Sequence, residues 1–71
     1  MKIKFNQDVT LTVIVDVDEP EGEDFEFQKD TIEDAEIIDG GPPHDSQLQF
    51  GDGSVTFVPS DFWKLVSVLP Q

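Results

Sequence analysis

The sequence predicts an all-β fold, a small barrel of about five antiparallel strands with one short helical turn before the last strand. Three observations carry this. Apolar, largely β-branched residues recur at every second position from Val9 through Leu11, Val13, Val15 and Val17, the period of a strand with one buried face. An Asp52-Gly53 pair divides Leu48-Gln49-Phe50 from Val55-Thr56-Phe57, which is a hairpin signal. Elsewhere the strand-like runs are short and bounded by Gly, Pro, Asp and Ser clusters, with no sustained helical periodicity.

Length and composition bound the rest. The 71 residues suffice for one domain, 1–71, and a chain of this size buries only about 60% of its unfolded surface. With no cysteine, neither a disulfide framework nor a thiolate metal site supplements that core, and an intracellular, cytoplasmic setting is the expectation. The start, Met1-Lys2-Ile3-Lys4-Phe5, leads into a strand pattern and not an apolar leader, and no run approaches the length of a membrane span.

Taken in order, Ile3 and Phe5 share the parity of Val9 to Val17, while Asn6-Gln7-Asp8 interrupts the run as a bulge or as a turn that splits the strand. Asp18 to Asp24 combines Pro20, Gly22 and five acids, so it is a solvated loop. Phe25-Glu26-Phe27 resumes the alternation, with both phenylalanines toward the core. Two readings of Thr31 to Asp39 compete. Asp30 or Thr31 would cap a short helix with Ile32, Ala35 and Ile38 on one stripe, whereas Ala35-Glu36-Ile37 alternates and the β-branched Ile37 and Ile38 favour a strand; the strand is preferred. Gly40 to Asp45 is a loop. With Asp52-Gly53 as a two-residue turn, Gly51 faces Ser54, Phe50 faces Val55 and Leu48 faces Phe57. All four large apolar side chains then share one face, with Gln47, Gln49 and Thr56 on the other. Pro59-Ser60-Asp61-Phe62-Trp63 reads as one helical turn capped by Ser60, before a last strand through Val66 and Val68.

Short strands, an acidic loop after the first and one helical turn before the last follow the order of an SH3-like barrel. The run Val13 to Val17 with its acidic loop, Phe25 through Asp39, Leu-Gln-Phe-Gly-Asp-Gly-Ser-Val, and the Val-Pro-x-x-x-Phe/Trp that follows resemble small acidic SH3-like proteins of bacteriophages and prophages. That resemblance covers most of the chain and implies the barrel, but it supplies no binding residue to carry over. It implies no catalytic residue and no cofactor.

Charge is the main functional signal. Four lysines and no arginine stand against sixteen acids, for a net charge of −12. Twelve of those acids, with Lys29 the one cation, lie between Asp16 and Asp39. Such a chain is repelled by phosphate backbones, so direct nucleic-acid binding is disfavoured. A basic protein surface is the partner that the charge selects, including one that ordinarily receives nucleic acid. On an extended chain, rows such as Asp16/Asp18 and Asp24/Glu26 repeat at about 6.6 Å, comparable to successive phosphates. The candidate partner-binding residues are Asp16, Asp18, Glu19, Glu21, Glu23, Asp24, Glu26 and Trp63. For the acids the structural reading is a solubilising loop that discourages edge pairing. For Trp63, which with Ile14 and Val58 would make an apolar patch, it is a cap on the barrel end or a homodimer contact.

Other chemistries fit poorly. Asp16-Val17-Asp18 opens like a calcium-binding loop, but Pro20 replaces a ligand and Phe27 stands where a bidentate glutamate is needed, so no metal is expected. His44-Asp45-Ser46 contains triad residue types, yet neighbours in sequence cannot adopt triad geometry. Gly51-Asp52-Gly53-Ser54 lacks the lysine and the following helix of a phosphate loop. The reading is therefore a non-enzymatic, acidic interaction module without cofactor or membrane partner; a homo-oligomeric accessory barrel, possible as a homodimer through sheet edges and Trp63, is the alternative.

Overall fold

Seven antiparallel strands form one open sheet in the computed structural model, which describes residues 1–16 and 18–70. They are β1 (Lys2–Phe5), β2 (Val9–Ile14), β3 (Glu23–Phe27), β4 (Ile32–Asp39), β5 (Ser46–Phe50), β6 (Val55–Val58) and β7 (Val66–Leu69), with a 3₁₀ turn at Ser60–Lys64 before the last. The sheet order is β3-β2-β6-β5-β4-β1-β7. No helix among the described residues is long and apolar enough to cross a membrane.

Seven strands replace the expected five partly because Asn6 to Asp8 splits the first run into two strands that do not pair with each other. β1 pairs with β4 and β7, and β2 with β3 and β6. The crossing is tied down on both sides. Asn6 N–H donates to the Leu65 carbonyl at 2.9 Å, and Asp8 Oδ1 accepts the Lys29 N–H at 2.7 Å. The segment expected as strand from Thr31 to Asp39 is strand from Ile32 to Asp39, and it joins the two halves of the sheet. Ile32, Glu33 and Asp34 pair with β1, whereas Ala35 to Asp39 pair with β5 across a bulge between Ile37 and Asp39.

Aromatic contacts show that the sheet curls over on itself. Phe27 on β3 stacks on Phe5 of β1 with ring centroids 4.8 Å apart, and on Phe50 of β5 at 5.6 Å. In a flat sheet β3 and β1, five strand intervals apart in this order, would be separated by about 24 Å. The concave side encloses the core: Ile3, Phe5, Val9, Leu11, Val13, Ala35, Leu48, Phe50, Val58, Phe62 and Val66. The alternation from Val9 is thus realised as far as Val13; Val15 lies past the strand end, 58% exposed, and Val17 lies outside the described residues.

The central hairpin forms with a different register from the two-residue turn. Phe50 N–H donates to the Ser54 carbonyl at 2.8 Å and Gly53 N–H to the Phe50 carbonyl at 2.9 Å. The loop is therefore the three residues Gly51-Asp52-Gly53, with Gly53 at φ +91°, the arrangement of a turn closed by a glycine bulge. Asp52 Oδ1 fastens it, accepting the Ser54 hydroxyl at 2.6 Å and its N–H at 3.0 Å. One extra loop residue turns β6 over. Leu48 faces Thr56 and not Phe57, so Thr56 is fully buried and Phe57 is 64% exposed. The Thr56 hydroxyl is satisfied by the Thr12 carbonyl at 2.8 Å.

The 3₁₀ turn has Pro59 at its N-terminal boundary and no cap from its own side chains. Asp45 supplies the missing acceptor, taking the Ser60 N–H at 2.7 Å.

Candidate functional site

The acidic residues fall into two geometries. Asp16, Asp18, Glu19 and Glu21 are exposed in the connection between β2 and β3. Asp16 Oδ1 accepts the Asp18 N–H at 3.0 Å, its carbonyl accepts the Glu19 N–H at 3.0 Å, and the Glu19 carbonyl accepts the Gly22 N–H at 3.1 Å. This is a tight turn, so Asp16 and Asp18 do not form the extended row anticipated from spacing. Glu23, Asp24 and Glu26 instead belong to β3, which starts two residues before Phe25. There the alternation holds. Asp24 and Glu26 pair with Thr12 and Thr10 on the convex side, and Thr12 Oγ1 donates to Asp24 Oδ1 at 2.8 Å.

This ribbon carries negative charge without local neutralisation. Among the described residues the three ion pairs are Met1 ammonium with Asp34 at 3.4 Å, Lys4 with Asp30 at 3.5 Å and Lys64 with Asp61 at 3.5 Å. None involves a carboxylate from Asp16 to Glu26. β3 is also an edge strand, pairing among the described residues only with β2, so its outer side carries charge along a sheet edge.

On the concave side, β3 borders a cleft of about 340 Å³ between the β2–β3 ribbon, β4 and the hairpin turn. Val13, Val15, Phe25 and Phe50 contribute its apolar surface, and Glu33, Asp34 and Asp52 its carboxylates. Phe25 pairs with buried Leu11 and shares its face as expected, yet it stays 42% exposed and lines the cleft. The Ser54 hydroxyl and then its N–H hold the Asp52 carboxyl below its usual range.

Trp63 does not line this cleft. It is half-buried, packs edge-on against Phe62 with centroids 5.2 Å apart, and its indole N–H reaches the His44 carbonyl at 3.0 Å and Ser46 Oγ at 3.2 Å. Val58 is in the core, so no exposed Trp63/Val58 patch exists. The His44-Asp45-Ser46 run is similarly structural: the Ser46 hydroxyl donates to the His44 carbonyl at 2.8 Å and accepts the Gly41 N–H at 2.8 Å. Asp45 holds the 3₁₀ turn.

Glu33 and the outward Phe57 are the features that sequence reasoning missed. A signal for Glu33 was available in its parity with Ala35 and Ile37. Comparison with family models, curated proteins and solved structures finds no match for the chain.

Proposed function

We propose that this chain is a non-enzymatic interaction module, a small SH3-like barrel of the kind phages and prophages encode, whose acidic ribbon docks on a basic protein surface. One observation carries the reading: the carboxylates of Asp16, Asp18, Glu19, Glu21, Glu23, Asp24 and Glu26 are all exposed, and none joins an ion pair among the described residues. Exposed like charges on one ribbon create a local negative field that steers a cationic partner. Occupancy of a basic surface excludes nucleic acid from it sterically and by charge, so inhibition of a nucleic-acid-binding protein is the mode of action this reading implies.

The test is capture of partners from the native host lysate by the wild-type chain and by a Glu19→Gln/Glu21→Gln/Glu23→Gln variant, each across a salt series. A specific partner lost both at high salt and on neutralisation supports the reading. A partner retained equally by both proteins at every salt concentration refutes it. The homo-oligomeric alternative draws support from the exposed Phe57 and the unpaired sheet edges; sedimentation of the pure protein as a salt-insensitive dimer would favour it.

A further inference from the structure

The cleft behind the acidic ribbon combines two features that a folded core normally keeps apart. Val15 and Phe25 line it while remaining 58% and 42% exposed. Across from them stands Glu33, on the strand face that also carries buried Ala35, and paired with fully buried Ile3. Its side chain is half-buried, and none of the three ion pairs among the described residues includes it. A carboxylate drawn partly out of water is stabilised when a cation joins it. Asp52 adds negative charge to the lining, where the Asp34 carboxylate is already paired with the Met1 ammonium.

We infer that this cleft is a socket for one long cationic side chain, lysine or arginine, presented by the basic partner, with its aliphatic stem against Val15 and Phe25 and its charged head at Glu33. The inference rests on the docking reading above and adds the residue that the partner inserts. Lysine and arginine suit such a site because their stems cover apolar surface while their heads stay with charge and water. A second copy of this chain suits it poorly, since each copy carries a net charge of −12 and brings repulsion to the contact.

The experiment is titration of the full ¹⁵N-labelled chain at constant ionic strength with acetyl-lysine methylamide, acetyl-arginine methylamide, acetyl-norleucine methylamide, ammonium chloride and putrescine. The lysine and arginine probes are expected to saturate with roughly millimolar dissociation constants, in keeping with their few heavy atoms. Norleucine, a stem without charge, and ammonium, a charge without stem, are each expected to bind at least about fivefold more weakly. Shifts should cluster at Val13, Phe25, Glu33 and the Phe50 to Ser54 turn. Glu33→Gln is near-isosteric and should weaken the lysine probe about fivefold or more, whereas Glu19→Gln/Glu21→Gln should change it less than about twofold. Val15→Ser, at an exposed site outside the strands, should weaken it about threefold without loss of fold.

Equal binding of norleucine and lysine, an unchanged constant in Glu33→Gln, or shifts spread along the acidic turn would each overturn the socket. Tighter binding of putrescine than of the lysine probe would make a free diamine the occupant and overturn the docking role. If the socket fails while the host partner is still lost on neutralising Glu19, Glu21 and Glu23, the ribbon reading stands alone. If the socket saturates while that neutralisation changes nothing, the ribbon reading falls instead.

Discussion

Replacing Phe57 by threonine separates the two possible registers of the central hairpin by their energetics. With Phe57 64% exposed, about a third of a surface near 200 Å² is covered, and at about 25 cal/mol per Å² the side chain contributes at most about 1.8 kcal/mol. Threonine keeps the backbone contacts and the β-branched preference for a strand, so the expected loss is about 1 kcal/mol, or roughly 4–8 °C in melting temperature for a domain this small. In the two-residue register Phe57 would be a core residue, and its truncation would cost about 3–5 kcal/mol. Leu48→Ala, at a fully buried position facing Thr56, calibrates the scale at about 2–5 kcal/mol. Thr56→Val is the reciprocal change. It strips the donor from the Thr12 carbonyl and should destabilise by about 1 kcal/mol, where an exposed threonine would be replaced without loss. Urea and thermal unfolding followed by Trp63 fluorescence, with m-values compared, measure all three. A Phe57→Thr loss equal to that of Leu48→Ala, together with a neutral Thr56→Val, would refute the bulged turn and the orientation of β6 that follows from it.

Two further outcomes are expected. Gly40 and Gly53 both have positive φ, at +77° and +91°, but a Cβ on Gly53 meets open space whereas one on Gly40 is driven into the Asp45 backbone. Gly53→Ala should therefore cost only the backbone term of about 1–2 kcal/mol, and Gly40→Ala about 3 kcal/mol or more, as read by chemical denaturation. The second outcome concerns pH. Because hydrogen bonds from Ser54 lower the Asp52 pKa in the folded chain, Asp52 favours folding above its ordinary titration range and loses that contribution as pH falls through the lowered value. Wild type should thus be more stable than Asp52→Asn at neutral pH, with the two unfolding midpoints converging in acid; a gap that persists or widens in acid would contradict the assignment.

The all-β class was legible because alternation is local: Val9, Leu11 and Val13 are buried wherever their strand pairs. The strand at Ile32–Asp39 was legible for the same reason, and so was the turn at Ser60–Lys64. The hairpin register was not, because Phe50-Gly51-Asp52-Gly53-Ser54 fits either a two- or a three-residue loop. What selects the longer one is partly distant in sequence, since the Thr56 hydroxyl finds its acceptor on Thr12 of a neighbouring strand. The strand count was too low partly because Asn6 to Asp8, which fits a bulge or a splitting turn equally by pattern, changes partner strands, a property of topology. Concentrated charge was plain from composition, but a lone acid reads as solvent-facing even where, as for Glu33, parity with Ala35 and Ile37 sets it on the inward side of β4, beside Ile3.

The curled sheet leaves β3 as an edge whose backbone is open to a further strand, and such an edge ordinarily invites self-association. Here Glu23, Asp24 and Glu26 occupy three of its five positions. Two like charges about 5 Å apart, one strand spacing, repel by about 0.8 kcal/mol even in bulk-water dielectric. Pairing with a second copy of β3 would accumulate several such terms, whereas a lysine-rich segment on the same edge reverses each sign. The difference between the two partners is therefore about twice the repulsion itself, without any change in the backbone contacts available to either. It follows that neutralising Glu23, Asp24 and Glu26 together should weaken binding of basic partners and increase dimerisation at the same time, a paired outcome that a purely solubilising role for these acids does not require.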